Sequence, residues 1–245
     1  MMTTLTDAWH LIAPPEGDRH GPLQPLLLTL TVVTGLVDAF SYLVLGHVFV
    51  ANMTGNVVFL AFAMVGAKGF SIGASLAALA SFAAGAVISG RVVTHLGSRR
   101  GRSLAATTGL QAVLVTGALV LGWVAVEPGT GVIRYLLIVL LGLSSGLQNG
   151  TARKLAVPDL TTTVLTQTIA GAAHESRLAG GPGSRIGRRG LSMVAMFGGA
   201  LVGALTVVHL AEPLALLIAV VLLAPAAVVA ERLSRSGPVW DRPST

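Results

Sequence analysis

Long apolar stretches recur along almost the whole chain and constrain its fold more than any other feature. We place them at 25–46, 47–66, 70–94, 103–126, 132–150, 158–174, 191–210 and 213–231. A helix needs roughly 20 residues to cross about 30 Å of hydrocarbon. Only 11% of the residues are charged, against roughly a quarter in soluble domains. The pattern therefore predicts an all-α membrane protein, a polytopic helical bundle.

The two ends of the chain lack the long apolar segments found in its middle. Residues 1–24 mix acidic, basic and proline-rich segments and lack the basic-then-apolar order of a signal peptide, which predicts a flexible N-terminal tail. We expect a single transmembrane domain over 25–231 and a cytoplasmic C-terminal tail over 232–245. The chain has no cysteine, which excludes disulfides, thiolate metal sites and cysteine nucleophiles.

Basic residues are confined to a few short stretches beside the apolar segments, and these set the expected topology. They are 95–102, Arg153 with Lys154, 175–190, and Arg232 with Arg235. The positive-inside rule places all of them in the cytoplasm. If all eight segments crossed, two basic loops would lie on opposite sides. We therefore expect six full transmembrane helices, two broken or re-entrant segments at 47–66 and 158–174, and both termini inside, although polar-interrupted segments can also cross. The net charge of +6 sets topology, so no nucleic-acid partner is expected.

A short internal similarity suggests that the domain is duplicated. The sequence from Gly35 to Ala39 (GLVDA) lies 111 positions before the sequence from Gly146 to Gly150 (GLQNG), and each precedes a polar-rich segment. With three crossings per half, the two repeats, about 25–126 and 132–231, would have inverted topology. Secondary transporters commonly have this construction.

Polar residues interrupt the apolar stretch at 47–66. Asn52, Thr54, Gly55 and Asn56 lie in the sequence NMTGN. Glycine costs roughly 1 kcal/mol in a helix interior, and asparagine and threonine can cap free backbone groups at a helix end. Irregular backbone at membrane depth is tolerated where protein surrounds it or water reaches it. We expect these residues to end and restart a helix and to line a polar site.

The segment at 158–174 is the expected counterpart in the second half. Asp159 follows a proline that can begin a helix, and its charge favours the positive end of that helix. Thr162 and Thr166 share one helical face. Threonines in membrane helices also hydrogen-bond to their own backbone one turn back, which is the alternative interpretation.

Asp38 is the most informative single residue. It lies about 12 residues into the first apolar segment, near the bilayer midplane at about 1.5 Å per residue. A carboxylate there is costly and indicates a functional site, for a cation, a proton or a substrate amine. Gln148 and Asn149 are its expected neutral counterparts in the second half. The alternative is a structural carboxylate bonded to NMTGN or Asn149.

The sequences GLVDA at 35–39, FVANMTGN at 49–56, GLQN at 146–149 and VPDLTTT at 157–163 resemble those of the YoaK-like family of bacterial membrane proteins, also called domain of unknown function 1275. The resemblance spans about 25–231. It implies a multi-pass protein of the bacterial cytoplasmic (inner) membrane with about six helices and no established activity.

These observations favour a secondary transporter of a small solute or ion, with a polar site near the midplane around Asp38. A passive channel and a structural or regulatory membrane protein are the alternatives. An intramembrane enzyme using Asp38 and His47 is the least favoured, because the two residues are nine positions apart and could not touch along a continuous helix without a break. The sequence contains no nucleotide-binding or metal-binding motif, so we expect no cofactor, no metal and no enzyme activity. Expected partners are the lipid bilayer and the solute. The small-residue helix faces predict close packing of helices within the chain, with a homo-oligomer as the alternative.

Overall fold

The computed structural model describes residues 6, 9–15, 18, 20–96, 99–157, 165–174, 180, 186–235 and 240. Its helices of ten residues or more are α1 (Leu23–Val44), α2 (Met53–Met64), α3 (Ile72–His95), α4 (Arg100–Val124), α5 (Gly131–Leu155), α6 (Leu165–His174), α7 (Ile186–His209) and α8 (Leu214–Arg235). No strand occurs in these parts of the chain.

Six of these helices, α1, α3, α4, α5, α7 and α8, are long and apolar enough to cross a membrane. The helix α2 has 12 residues, too few for a full crossing, and the described part of α6 is shorter still. Apolar side chains cover the outer surface, where Val113 and Phe197 are each 67% exposed. The expected all-α bundle with six spanning helices is confirmed.

Several helices, including α4, α5, α7 and α8, extend beyond the predicted apolar segments into the neighbouring basic stretches. The basic pair Arg153 and Lys154, expected in a loop, belongs to the last turn of α5. Likewise α4 begins at Arg100 rather than at 103. Long basic side chains can reach the interface from within a helix, and cations are favourable beside a helix C-terminus. Apolar composition therefore underestimates the length of these helices.

The helices pack in a pattern that treats the two halves of the chain alike. The closest pairs are α3 with α5 and α1 with α7, followed by α4 with α8. The helices α4 and α5 pack together, as do α1 and α8, while the short helices α2 and α6 lie against α3 and α7 respectively. If α1, α2, α3 and α4 are exchanged with α5, α6, α7 and α8 respectively, the same set of packed pairs results.

The glycines at two helix crossings repeat this correspondence residue by residue. A Cβ on Gly35 would overlap the carbonyl oxygen of Met196 and lie 2.6 Å from the nitrogen of Ala200. A Cβ on Gly146 would overlap the carbonyl oxygen of Phe82 and lie 2.9 Å from the nitrogen of Ala86. The two glycines are 111 positions apart, and both sets of partners are 114 positions apart.

The reciprocal contacts follow the same rule. A Cβ on Gly199 would overlap the carbonyl oxygen of Val32, and one on Gly85 that of Leu143. Small residues allow membrane helices to approach this closely. The small-residue faces of α3, α5 and α7 are thus used for packing within the chain.

Candidate functional site

Asp38 lies on α1 about four residues beyond the helix centre, and its side chain is 4% exposed. Its Oδ1 accepts hydrogen bonds from the main-chain amides of Val50 at 3.1 Å and Ala51 at 2.9 Å. The amide of Asn52 also faces this carboxylate. Three consecutive amides form a concave anion-binding arrangement. The buried acid therefore holds the segment that leads into α2.

The connection from α1 to α2, residues 45–52, turns back between the two helices. It reverses through Gly46 and His47, whose φ values of +79° and +56° are left-handed. Arg134, at the start of α5, donates from Nε to the carbonyl oxygen of Leu45 at 2.7 Å and from Nη2 to that of Gly46 at 3.3 Å. A Cβ on Gly46 would lie 2.6 Å from this guanidinium. Arg134 thus caps the C-terminal end of α1.

Asn56 is completely buried in the first turn of α2 and pairs with the main chain of Phe49. Its Oδ1 accepts from the Phe49 amide at 3.0 Å, and its Nδ2 donates to the Phe49 carbonyl oxygen. Such a pair replaces the backbone partners that an irregular segment lacks inside a membrane. Asn56 and Asp38 together bind the main-chain amides of residues 49–51 and the carbonyl oxygen of Phe49.

Two roles expected from the sequence NMTGN are wrong. Gly55 does not break a helix; it lies within α2, where a Cβ would come 2.8 Å from the Phe49 ring. Its lack of a side chain makes room for that ring. Asn52 precedes α2 but makes no side-chain cap hydrogen bond. Asn52 and Thr54 are exposed. Of the polar side chains in NMTGN, only that of Asn56 is buried.

Aromatic rings surround this segment. Tyr42 stacks on Phe49 with ring centroids 4.9 Å apart, and Phe49 stacks on Phe59 at 5.7 Å. Phe59 also contacts Phe70 at 5.2 Å. Aromatic pairs at these separations contribute roughly 0.5–1.5 kcal/mol beyond their burial. The rings join the end of α1, the connection and α2 to the segment just before α3.

A second buried polar cluster joins α1, α4 and α5. Gln148 donates from Nε2 to Thr34 Oγ1 at 2.7 Å and to the Leu30 carbonyl oxygen at 3.1 Å. Its Oε1 accepts from Gln111 Nε2 at 2.7 Å. Gln148 was predicted as a site residue, whereas Gln111 and Thr34 were not. A lone glutamine within an apolar stretch was the available signal, since polar side chains inside a membrane are costly and commonly functional.

Four polar side chains of α1 form one continuous buried face. They are Thr31, Thr34, Asp38 and Ser41, each at most 4% exposed. The threonines donate to the carbonyl oxygens of Leu27 and Leu30 one turn back. Hydroxyl groups bonded in this way retain acceptor capacity, as the contact between Gln148 and Thr34 demonstrates. The Gln148 cluster and Asp38 are thus one helical turn apart on the same face.

The remaining predicted site residues belong to the second half. Asn149 follows Gln148 on α5 and is half-buried. Thr166 belongs to α6. Asp159 and Thr162 lie outside the described residues. The structure therefore joins Asp38 to the segment before α2, and Gln148 to α1 and α4, in two separate clusters.

His47 and Asp38, the pair considered for catalysis, have different partners. His47 Nδ1 lies 3.1 Å from the carbonyl oxygen of Gly69, and its ring contacts Tyr42 edge-on at 5.1 Å. Asp38 is engaged by the amides of Val50 and Ala51. No hydrogen bond joins the two side chains. Among the residues described, no group of three histidine, cysteine or acidic side chains could hold a metal ion.

Cavities open at the two ends of the α4 and α8 pair. One of about 610 Å³ is lined at one end by Glu127, Glu212, Trp123 and Pro213. Another of about 510 Å³ is lined at the opposite end by Arg102, Glu231, Arg232 and Arg235. Neither lining includes Asp38 or Gln111. Neither polar cluster therefore lines these two cavities.

The chain matches a known protein family over most of its length. Residues 26–229 match the family described as "Protein of unknown function (DUF1275)", a range that contains almost all of the six spanning helices and both short ones. This chain belongs to that family. The resemblance carried by GLVDA, FVANMTGN and VPDLTTT is confirmed, and the chain is a multi-pass integral membrane protein.

A curated member of the family is similar over part of its length. The UPF0700 transmembrane protein YoaK of Bacillus subtilis (strain 168) is 35% identical over 150 residues. The match covers 59% of this chain and 63% of YoaK, a little under two thirds of its length. No solved structure matches this chain.

Proposed function

We propose that this protein is a secondary transporter that carries a small solute across the bacterial cytoplasmic membrane by alternating access between two inverted repeats. The observation that carries the proposal is the correspondence between the α1–α7 and α3–α5 crossings. Gly35 and Gly146 occupy the same point in these crossings, with partners at a constant offset. Two halves built alike but oppositely oriented can exchange conformations, which opens the central site to each side in turn.

The arrangement of basic residues supports an orientation with both termini inside. Arg100, at the start of α4, donates to the carbonyl oxygen of Leu155 at the end of α5 at 2.7 Å. Arg188, at the start of α7, donates to Gln24 at the start of α1 at 3.3 Å. These helix ends therefore gather on one side, and the positive-inside rule makes that side cytoplasmic. The connection 45–52 then enters from outside.

Asp38 supplies a means of coupling movement to protons. While ionised, its carboxylate is a strong acceptor for the amides of Val50 and Ala51. A protonated carboxyl group accepts these bonds more weakly, because it has lost the charge that strengthens them. Proton binding would thus loosen the connection before α2 and open the outer side of the site. The exposed side chains of Asn52 and Thr54 would then contact the entering solute.

The second-half residues complete the proposed pathway. Gln148 and Asn149 correspond to Val37 and Asp38 by the same offset of 111 positions. We assign Asp159, Thr162 and Thr166 to the inner counterpart of the outer connection, following α5 as Asn52 and Thr54 follow α1. The inner element would open when the outer one closes.

Solute counterflow in proteoliposomes separates a transporter from a channel. Purified protein would be reconstituted, and entry of radiolabelled glycerol, urea, glycine and methylammonium measured with and without the unlabelled compound inside. A saturable initial rate that internal solute accelerates indicates alternating access. Non-saturating entry without acceleration indicates a passive channel.

Alternating access can also be tested without a known solute. The chain lacks cysteine, so Thr54→Cys and Ser103→Cys provide single reporters of the two sides. Because proton binding is proposed to open the outer side, acidification should raise labelling by an impermeant maleimide at Thr54→Cys relative to Ser103→Cys. Absence of counterflow for every solute, together with unchanged labelling at both positions, would refute the transport function.

A further inference from the structure

We propose that the side-chain carbonyl of Gln111 is the recognition point of the central site and that it binds a small uncharged solute with hydroxyl or amide N–H donors. Glycerol and urea represent this class. The inference rests on the proposed transport function, to which it adds a substrate class. It also adds a binding residue that the sequence pattern did not identify.

The hydrogen-bond network fixes the orientation of the Gln111 amide. The carbonyl oxygen of Leu30 can only accept, so the group of Gln148 that lies 3.1 Å from it must be the NH₂ donor. Gln148 Oε1 is then the atom that faces Gln111, and it can only accept. The group of Gln111 that lies 2.7 Å from it must therefore be its NH₂. This order leaves Gln111 Oε1 pointing away from the network.

Gln111 Oε1 is a buried acceptor without a donor. The side chain is 2% exposed, and Oε1 has no hydrogen-bond partner among the described residues. The large majority of buried polar atoms in proteins have a hydrogen-bond partner, and an unpaired one costs about 1–3 kcal/mol. Gln111 is near the middle of α4, which runs from Arg100 to Val124. The unpaired acceptor thus lies close to the centre of the membrane.

A second unpaired atom lies on the same face of α4. Ser103, Thr107 and Gln111 recur at intervals of four residues, which places them on one side of the helix, and each is 2% exposed. Ser103 Oγ also lacks a hydrogen-bond partner in the described parts of the chain. Eight residues of helix separate it from Gln111 by about 12 Å. Polar side chains therefore occur once per turn on this face, from the start of α4 to its centre.

The absence of charge in the network determines the class of solute. Every bond of Gln111, Gln148 and Thr34 joins an amide, a hydroxyl or a main-chain carbonyl. A cation at this depth would need a countercharge. The nearest carboxylate along α1 is Asp38, one helical turn from Thr34, and its charge is already stabilised by the amides of Val50 and Ala51. A neutral donor satisfies Gln111 without a countercharge.

Stopped-flow light scattering of proteoliposomes tests the assignment with glycerol and urea as the probes. Gln111→Met keeps the length and volume of the side chain but removes the acceptor, and it should lower the protein-dependent rates of both solutes by about tenfold or more, equivalent to about 1.4 kcal/mol. Ser89→Ala is the matched control, because it removes a buried bond to Thr151 of 2.8 Å on the α3–α5 crossing. Its rates should stay within about twofold of the parent.

Thr34→Val provides a second control inside the network. It removes one acceptor of Gln148 but leaves the Leu30 carbonyl, so the orientation of Gln111 and its free oxygen are retained. Solute entry should therefore persist. If Gln111→Met fails to fold by size-exclusion chromatography, Gln111→Asn keeps the amide but withdraws its carbonyl by about one C–C bond length, and should also slow entry.

The outcomes separate this inference from the transport function. Unchanged glycerol and urea entry in a folded Gln111→Met or Gln111→Asn protein refutes the role of Gln111. Counterflow of methylammonium or glycine without entry of either neutral solute refutes the substrate class and leaves transport standing. Loss of all counterflow and of the pH-dependent cysteine labelling refutes the transport function itself.

Discussion

The carboxylate of Asp38 accepts a hydrogen bond from the amide of Ala51 at 2.9 Å, across 13 residues of sequence. This bond and the neighbouring one from Val50 attach the segment before α2 to the middle of a spanning helix. An acid inside a membrane is usually explained by a bound ion or proton. Here the same acid is an anchor, and the proposed coupling depends on how firmly it holds.

Replacing this acid tests the anchor. Asp38→Asn removes the charge that strengthens both bonds, so the free energy of unfolding should fall by about 1–3 kcal/mol. A Val50→Cys reporter should also react faster with an external maleimide, because its segment is released. Glu231→Gln is the control, since Glu231 pairs with a 75% exposed Arg235 and should change neither quantity. Unaltered labelling in folded Asp38→Asn protein would argue against the anchor.

The two asparagines of NMTGN provide a matched pair. Asn56→Ala leaves the amide and carbonyl of Phe49 without partners in a buried place, and should lower the free energy of unfolding by about 2–4 kcal/mol. Asn52→Ala affects an exposed residue without a cap bond and should change it by less than about 0.5 kcal/mol. Thermal unfolding in detergent measures both. An equal loss of stability in both variants would contradict the assignment of Asn56 as the bonded, buried asparagine and Asn52 as the exposed one.

The structure explains which parts of this site the sequence could indicate. The polar cluster and Asp38 interrupt apolar stretches, and that contrast is readable from composition alone. The partners of Asp38 are main-chain amides, which every residue carries, so no sequence pattern could mark Val50 and Ala51. The short helix was expected to break at Gly55, yet that glycine makes room for a ring brought close by the turn at 46–47. That contact arises only when the chain is folded.

The second buried polar cluster shows another limit on what can be predicted from sequence. Gln111, Gln148 and Thr34 lie on three helices, and their contact depends on how each helix is rotated about its axis. Hydropathy locates spans but carries little information about rotation. The correspondence between Gly35 and Gly146 was readable because it depends on position along the chain. Of its partners on α3 and α7, Ala86 and Ala200 are alike but Phe82 and Met196 differ, because the contacts are made by main-chain atoms.

The two corresponding glycines should respond alike to substitution. Gly35→Ala and Gly146→Ala each place a Cβ against main-chain atoms of the opposing helix, and overpacking of this kind costs about 1–3 kcal/mol. Gly109→Ala is the control within α4, because its Cβ would meet nothing within 4 Å. Its stability should be unchanged or improved. Thermal unfolding that distinguishes Gly35 from Gly146 would weaken the proposed equivalence of the two crossings.

Arg134 should require its planar head group. Its Nε and Nη2 donate to two adjacent carbonyl oxygens, a geometry that lysine does not reproduce. Arg134→Lys should therefore lower the free energy of unfolding by about 1 kcal/mol. Arg91→Lys, at an exposed position on α3, is the control and should leave stability unchanged. Equal stability of both variants in thermal unfolding would contradict the capping role.

Asp18, which lies just before α1, should make the stability of the folded protein depend on pH. Burial opposes ionisation of this carboxylate, but hydrogen bonds from the amides of His20 and Gly21 outweigh it and lower the pKa of Asp18 below its ordinary value of 3.8. A lowered pKa in the folded state means that the stabilisation is fully present above pH 3.8 and is lost as the pH falls below that value. The difference in melting temperature between the parent and Asp18→Asn should therefore be constant from neutral pH down to that point and then shrink. Glu231→Gln, which alters an exposed ion pair, serves as the control. A difference for Asp18→Asn that stays the same at every pH would show that the charge of Asp18 does not contribute.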